Sequence, residues 1–447
     1  MTERERSQKL ADENSVLVKL ILPDTELDGE PLDELDGLAT TAGTTVVGRM
    51  TQRRVKPDPS TYLGKGKVEE LQMCAEASEA DLIIFDNELS PAQTRNLEQA
   101  IKLKVIDRTE LILDIFATHA QTYESRLAVE LAQLEYSLPR LKRMWTHLDR
   151  IKMGVGMRGP GEKQLEVDRR LVEKRISDLK NDLKKVQDRR EREVSSRRDV
   201  MTISLVGYTN AGKSTLMNHL TKADVLVEDK LFATLDTRTR RWRLPHWGPV
   251  LLSDTVGFIR NLPHKLIASF KATLSEANQA DLLLHIADAS SPEVLSQIDA
   301  VHEVLEEIGI KAKDTLLVLN KIDKIENRVI LDRLQQQYPH ALAVSAITGE
   351  GKEGFAQTVS DALSRNFRDV DIETGIENGK LLAYLAAHGE VITKTYSETK
   401  MIIHCRLPQR YLGSINEPGT IVTEHEHQVI DDEATDSEAS DSIEEVA

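Results

Sequence analysis

A chain of 447 residues, 40% hydrophobic and 30% charged, has the composition of a soluble globular protein with room for about three domains. Its charged opening, with no run approaching about 18 apolar residues, argues against a secretory leader or a membrane anchor, so a cytoplasmic protein is expected. The two cysteines, Cys74 and Cys405, stand far apart without ligand spacing. That excludes a disulfide framework and a cysteine-built zinc site, and both are read as ordinary thiols. The net charge of −16 is unevenly placed: eight acidic residues and no basic one fall between Asp431 and Glu445, whereas Arg140 to Arg198 carries 19 Lys/Arg against 10 Asp/Glu. Such asymmetry points to a nucleic-acid-facing segment inside an otherwise acidic protein.

Residues 1–123 read as an N-terminal α/β domain. Strands are predicted over 16–22, 45–50, 82–85 and 104–107, and helices over 32–42, 68–80 and 90–101. Gly64-Lys65-Gly66-Lys67 lacks the spacing of a phosphate loop and is read as a solvated turn. From Leu127 to Leu148 apolar residues recur at alternating steps of four and three, and the same alternation returns from Val172 to Val186. Between the two seams, Gly154 to Glu162 concentrates glycine and proline and is expected to be non-helical. Residues 124–198 are therefore predicted to form an antiparallel helical hairpin with a flexible, cationic tip, and Pro139 to kink or frame its first helix. Arg150, Lys152, Arg158 and Lys163 at that tip are the candidates for contact with an RNA backbone.

Residues 199–367 carry the chemistry. An apolar strand, Ile203 to Val206, runs into Gly207-Tyr208-Thr209-Asn210-Ala211-Gly212-Lys213-Ser214-Thr215, the G-x-x-x-x-G-K-S spacing of a phosphate loop opening a helix. Glycine lets the backbone approach phosphate oxygens with its N–H groups aimed at the anion, and the helix start adds its positive end. Lys213 can reach the β- and γ-phosphates, and the Ser214 hydroxyl can ligate Mg²⁺. Strands follow at 240–244, 250–254, 281–288, 314–319 and 341–345, alternating with helices at 264–278, 292–308, 329–338 and 352–365. That alternation predicts a doubly wound, mostly parallel sheet with its ligand at the carboxyl ends of the strands.

Three strand ends name the nucleotide. Asp254-Thr255-Val256-Gly257 places a carboxylate where it can hold Mg²⁺ through water and an N–H where it can meet the γ-phosphate. In Asn320-Lys321-Ile322-Asp323, a buried Asp323 carboxylate can accept from the N1–H and exocyclic amine of guanine, two donors adenine does not offer there. Ser345-Ala346-Ile347 would bring backbone donors to the base oxygen. GTP is the expected substrate and Mg²⁺ the expected cofactor.

Beyond this domain, 368–423 reads as a small α+β appendage, with a helix over 381–387 and a hairpin of 391–396 against 401–407. From about 424 the acidic tail to 447 is too poor in apolar residues to fold. His425 and His427 could offer imidazole to a metal but are read as ordinary side chains.

The five motifs resemble those of the P-loop GTPases. The finer match is to the HflX family of ribosome-associated GTPases, carried by Phe232-Ala233-Thr234-Leu235-Asp236, by Asp254 to Phe258, by Gly154 to Gln164, and by Tyr62-Leu63-Gly64-Lys65-Gly66. The resemblance implies that residues 232–236 face the nucleotide and that Thr234 ligates Mg²⁺ and closes on the γ-phosphate, making Lys213, Thr234 and Gly257 the catalytic set. It also implies the large ribosomal subunit as partner, action in splitting or recycling ribosomes, stimulation of hydrolysis by the ribosome, and a chain that is monomeric when free. Phe258 stands where many small GTPases have the glutamine that orients the attacking water, so slow intrinsic hydrolysis is expected. The rival reading is a GTP-timed switch whose hairpin recruits a protein effector without ribosome work.

Overall fold

The computed structural model describes residues 13–23, 29–140, 160–195, 200–221, 231–232, 237–244, 249–260, 277–278, 280–307, 309–310, 315–364, 367–397, 399–413, 415 and 419–425. Arg150, Lys152 and Arg158, residues 233–236 with Thr234, His427 and the acidic tail lie outside them, as does the side chain of Lys163. The chain forms two compact units, one reaching to Leu363 and the other starting at Ser364.

The first unit opens with a parallel sheet of β1 (Asn14–Ile21), β2 (Thr45–Arg53), β3 (Leu82–Phe85) and β4 (Lys104–Asp107), in the order β2-β1-β3-β4. Both faces are covered, which is why β3 can be Leu-Ile-Ile-Phe with no polar residue. Leu17, Leu82, Ile84 and Ile106 share one cluster with Leu35 and Leu38 of α1 (Asp33–Thr41) and Leu111, Ile112 and Phe116 of α4 (Arg108–His119). Their strand neighbours Val16, Val18, Ile83, Phe85 and Val105 join Leu71 of α2 (Lys65–Ala77) and Leu97 of α3 (Pro91–Ile101) on the other side. α3 begins with a capping box, Ser90 and Gln93 satisfying each other's backbone, and with proline at its first turn. Gly64 and Lys65 of the glycine-lysine stretch belong to the start of α2, where Gly64 N–H donates to Gln52 Oε1 at 3.1 Å.

The two heptad seams meet over the described residues; the rest of the first seam, 141–148, lies outside them. Leu127, Ala128 and Leu131 of α5 (Tyr123–Ser137) cluster with Leu179 and Leu183 of α6 (Pro160–Ser195), with Leu134, Ile176 and Val186 packed at the margin. α5 passes into a single 3₁₀ turn, Leu138–Arg140, around Pro139, as a ring without an N–H requires. The far end differs from expectation: α6 starts inside the glycine-proline stretch, at Pro160. Proline is at home in a first helical turn, where its missing N–H has no partner to lose.

The second sheet orders β10-β9-β8-β5-β7-β6. Its strands are β5 (Thr202–Gly207), β6 (Arg238–Arg243), β7 (Pro249–Asp254), β8 (Leu282–Asp288), β9 (Thr315–Asn320) and β10 (Leu342–Ala343). All pairs are parallel except β6 with β7. Helices α7 (Lys213–Thr221), α8 (Val294–Glu307), α9 (Arg328–Gln337) and α10 (Lys352–Ser364) alternate with them. Of the helix expected over 264–278, only 277 and 278 are described, and they are helical. β10 is two residues long against the five expected, because Ser345 N–H turns away to Glu350 O at 3.0 Å and begins a loop.

The second unit is a four-stranded antiparallel sheet, β12-β13-β11-β14, of β11 (Phe367–Gly375), β12 (Glu390–Tyr396), β13 (Lys400–Pro408) and β14 (Ile421–Glu424). The expected helix and hairpin are α11 (Gly379–His388) and β12-β13, and a last short helix is α12 (Gln409–Leu412). Val370, Ile372, Leu381, Leu385, Met401, Ile403, Cys405 and Leu407 form its core. Burial pushes the Cys405 thiol up to about 12, so it is an inert core group, while Cys74 is half-buried. Strands β11 and β14 escape sequence reading: β11 buries only Val370, Ile372 and Thr374 between charged residues, and β14 is four residues long and exposed throughout. Among the described residues no helix is long and apolar enough to cross a membrane.

Candidate functional site

The carboxyl ends of β5, β7, β8 and β9, and the loop after β10, bring Gly207, Asp254, Asp288, Asn320 and Ser345 to one edge of the second sheet. The loop 207–212 is cut to glycine at both ends. Gly207 has φ +150° and a Cβ there would lie 2.1 Å from Ile286 O; Gly212 has φ +90° and a Cβ would lie 2.3 Å from Asn320 Nδ2. Any side chain would be strained and would clash.

Lys213 is buried and folds back over its own loop, donating to Gly207 O at 3.0 Å and Tyr208 O at 2.8 Å. Burial pulls its ammonium down to about 8; Asp254 opposes that and Lys321 adds to it. A cation held by carbonyls alone is well prepared to exchange them for an anion. Ser214 Oγ donates to Asp254 Oδ2 at 2.6 Å, on a carboxylate with no exposure. This hydroxyl and carboxylate are hard oxygen donors of the kind Mg²⁺ takes, so the donor set fits that ion.

The segment 254–258 is laced to the phosphate loop. Phe258 N–H donates to Gly207 O at 3.1 Å and Thr209 N–H to Phe258 O at 2.7 Å. A Cβ on Gly257 would fall 2.8 Å from Thr209 Cα and 3.1 Å from Lys213 Nζ. The Phe258 side chain is buried in the cluster that holds Phe232, Val256 and Ile259, so it anchors this segment in the core. Phe232 differs from expectation: its ring packs edge-on against Phe116 of α4, centroids 4.7 Å apart, and its side chain serves the core instead of facing the nucleotide. An exposed phenyl ring at the loop mouth would forfeit that burial.

At the other end of the edge, buried Asn320 ties two loops together. Its Nδ2 donates to Ala211 O at 2.9 Å and its Oδ1 accepts from Ala346 N–H at 3.0 Å. Lys321, in the left-handed region at φ 63°, reaches Asp288 at 2.7 Å. Ser345 Oγ donates to Asp323 Oδ1 at 2.6 Å and accepts from Thr348 N–H at 3.1 Å. Two expectations change here. Asp323 is exposed, not buried, because it sits in a one-turn 3₁₀ helix beyond the strand end. The Ala346 N–H serves Asn320, so it is not open to a base oxygen, and Ile347 next to it is exposed.

Sequence reading missed a charged junction between the first sheet and this loop. Tyr208 OH donates to Glu34 Oε1 and accepts from Arg260 N–H at 2.8 Å. Arg108, buried at the start of α4, donates to Asp86 at 2.7 Å, Glu34 at 2.6 Å and Arg260 O at 3.2 Å. Burial works against the Arg108 charge, but Glu34 and Asp86 outweigh it and hold the guanidinium above its ordinary pKa. The available signal was Asp86 and Asp107-Arg108 at strand ends, where charge rarely stands without a partner. Beside the junction lies a cavity of about 740 Å³, bordered by Lys19, Glu34, Arg108, Asn210 and Glu293. A second missed group is His285 on β8, pushed down to about 3 by burial, then by His302 and Lys213, and so held neutral.

Three family models match: "GTP-binding GTPase N-terminal" over 29–117, "GTP-binding GTPase Middle Region" over 119–197, and "50S ribosome-binding GTPase" over 202–321. GTPase HflX of Magnetococcus marinus is 45% identical over 410 residues, covering 91% of this chain and 95% of that relative. The chain belongs to the HflX GTPase family. GTPase HflX of Escherichia coli is 46% identical over 374 residues, covering 83% and 88%. Among solved structures, a GTP-binding protein of Sulfolobus solfataricus in complex with GDP aligns with 24% identity and a TM-score of 0.43, over 78% of this chain and 99% of that one. The activity of this HflX-family chain is accordingly GTP hydrolysis, on an α/β fold with a parallel-rich sheet, and the strand edge described above is its candidate nucleotide site.

Proposed function

We propose that this GTPase is a Mg²⁺-dependent cytoplasmic switch that binds the large ribosomal subunit, splits or recycles ribosomes, and hydrolyses GTP slowly until the ribosome stimulates it. One observation carries the reading: a phosphate-loop edge and a paired helical element from the most basic stretch of the chain share one compact unit. The description of the matched nucleotide-domain model supports the choice of partner. Backbone N–H groups of 207–212 and the Lys213 ammonium would hold the phosphates. Ser214, Asp254 through water, and Thr234 would hold Mg²⁺, which when bound neutralises charge on the β- and γ-oxygens. Gly257 offers its N–H to the γ-phosphate, and Asp323, steadied by Ser345, accepts from guanine, which would bury it on arrival. With the Phe258 side chain committed to the core, it cannot align water, which suits a low basal rate. Arg150, Lys152, Arg158 and Lys163 would meet ribosomal RNA.

The test is GTP turnover with and without purified large ribosomal subunits at two salt concentrations. Strong stimulation that fades as salt rises is expected, since phosphate contacts release counterions. No stimulation would overturn the ribosomal role and leave the GTPase standing. A second reading, recruitment of a protein effector through the helices, is favoured by Val167 and Leu171, exposed one turn apart on α6. It predicts binding that persists at high salt.

A further inference from the structure

The open face of the C-terminal sheet gathers two imidazoles and two carboxylates that nucleotide chemistry does not use. Asp371 on β11 and His404 on β13 are direct cross-strand partners. On the other side of β11, β14 pairs Thr423 with Asp371, and the chain continues to His425, whose N–H donates to Asp369 O at 2.9 Å. His425 thus folds over the same face. Its ring stacks on His404 with centroids 3.7 Å apart and planes 16° from parallel. His425 Nδ1 lies 2.7 Å from Asp371 Oδ2, and His404 Nε2 lies 2.5 Å from Asp369 Oδ1.

We propose that Asp371, His404 and His425 bind one divalent metal ion of the zinc type. One donor atom from each lies within 4.8 Å of the other two. Zinc–ligand distances of about 2.0–2.2 Å put tetrahedral donors about 3.5 Å apart, so closure draws the donors in by about 1 Å and tilts the two rings out of their stack to aim both lone pairs at the ion. Two imidazoles with a carboxylate select Zn²⁺ and its neighbours over Mg²⁺ or Ca²⁺, which take oxygen. Asp369 completes the pattern by engaging the second nitrogen of His404, the carboxylate contact that orients a metal-bound imidazole. Two stacked imidazoles repel when both are protonated, whereas a shared cation satisfies both lone pairs. The nearby cation, Arg406, is already matched by Asp369 at 3.3 Å and Glu390 at 4.0 Å. The three groups are half-buried, leaving a fourth position for water. The ion would pin β14, four exposed edge residues, to the sheet.

The test uses the full chain, stripped with EDTA and free of nucleotide, titrated with Zn²⁺ against a chromophoric chelator. One equivalent is expected. The step should vanish in Asp371→Asn, His404→Gln and His425→Gln, and weaken about 10–100-fold in Asp369→Asn. It should persist in His388→Gln, whose ring is bound within α11 to Tyr384 O at 2.7 Å. Co²⁺ should give visible d–d bands that the same three variants abolish. Circular dichroism in EDTA checks that the variants fold, and His425→Gln, outside the core of the unit, keeps the test decisive if His404→Gln does not. Absence of a stoichiometric step, or a step that survives all three ligand substitutions, would overturn the site.

Discussion

The nucleotide edge and the basic helices are both rich in charge, yet they hold it in opposite ways. At the edge, polar groups are buried and committed to one another: Lys213 to two carbonyls, Ser214 to Asp254, Asn320 to two loops, Arg108 to two carboxylates. On α5 and α6 the charges stand in water, in pairs that are exposed or half-exposed, as in Arg175 with Glu130 at 2.7 Å and Lys180 with Glu135 at 2.7 Å. Buried groups act through geometry, where losing one partner strands the other. Exposed groups act through a summed field that salt can screen.

Substitutions can break this contrast. Arg108→Ala would strip Glu34 of its cation and leave Asp86 with Lys19 alone, and a loss of about 3 kcal/mol in urea unfolding is expected. A loss below about 1 kcal/mol would mean the junction is wetter than it looks. Lys213→Ala should lower GTP turnover about 10²–10³-fold, equivalent to about 2.7–4 kcal/mol; unchanged turnover would dismiss the phosphate loop as the site. Asp323→Asn should reduce discrimination of GTP over ATP by about 1–3 kcal/mol, read by competition binding.

A pH series sharpens the same point. Free Lys213 titrates at about 8, and bound phosphates would raise its pKa, so binding above pH 8 must take up a proton. Affinity should therefore hold below pH 8 and fall above it by up to about tenfold per pH unit, with proton uptake visible by calorimetry in buffers of different ionisation enthalpy. A flat profile to pH 9 would show that the ammonium is not desolvated. The smallest effect belongs to the helices: Arg175→Ala should cost about 0.2–1 kcal/mol in the same urea assay, since its pair with Glu130 lies in solvent. A much larger cost would make that pair part of the core.

Much of this was legible in one dimension because the relevant chemistry is local. Gly207, Gly212, Lys213 and Ser214 lie within eight residues; backbone geometry dictates the two glycines, and side-chain chemistry the lysine and serine. Heptad spacing likewise paired Leu127 and Leu131 with Leu179 and Leu183 across a long gap, because period and apolar character were enough. What escaped was what depends on a neighbour from elsewhere in the chain. Phe232 reads as part of a nucleotide segment until Phe116 covers it, and Asp323 reads as buried until the strand end is seen to open on solvent. Tyr208 is an unremarkable loop residue until Glu34, 174 positions away, accepts a hydrogen bond from its hydroxyl. His425 is a tail residue until β14 lays it on His404.

The sequence by itself therefore determined the class of chemistry and the periods of most strands and helices, all set by contacts within a few residues. Only the tertiary structure decided which polar groups are buried, which are satisfied by one another, and which remain for a ligand. Burial and pairing are properties of residues distant in the chain, and the free energy of a charge depends on both.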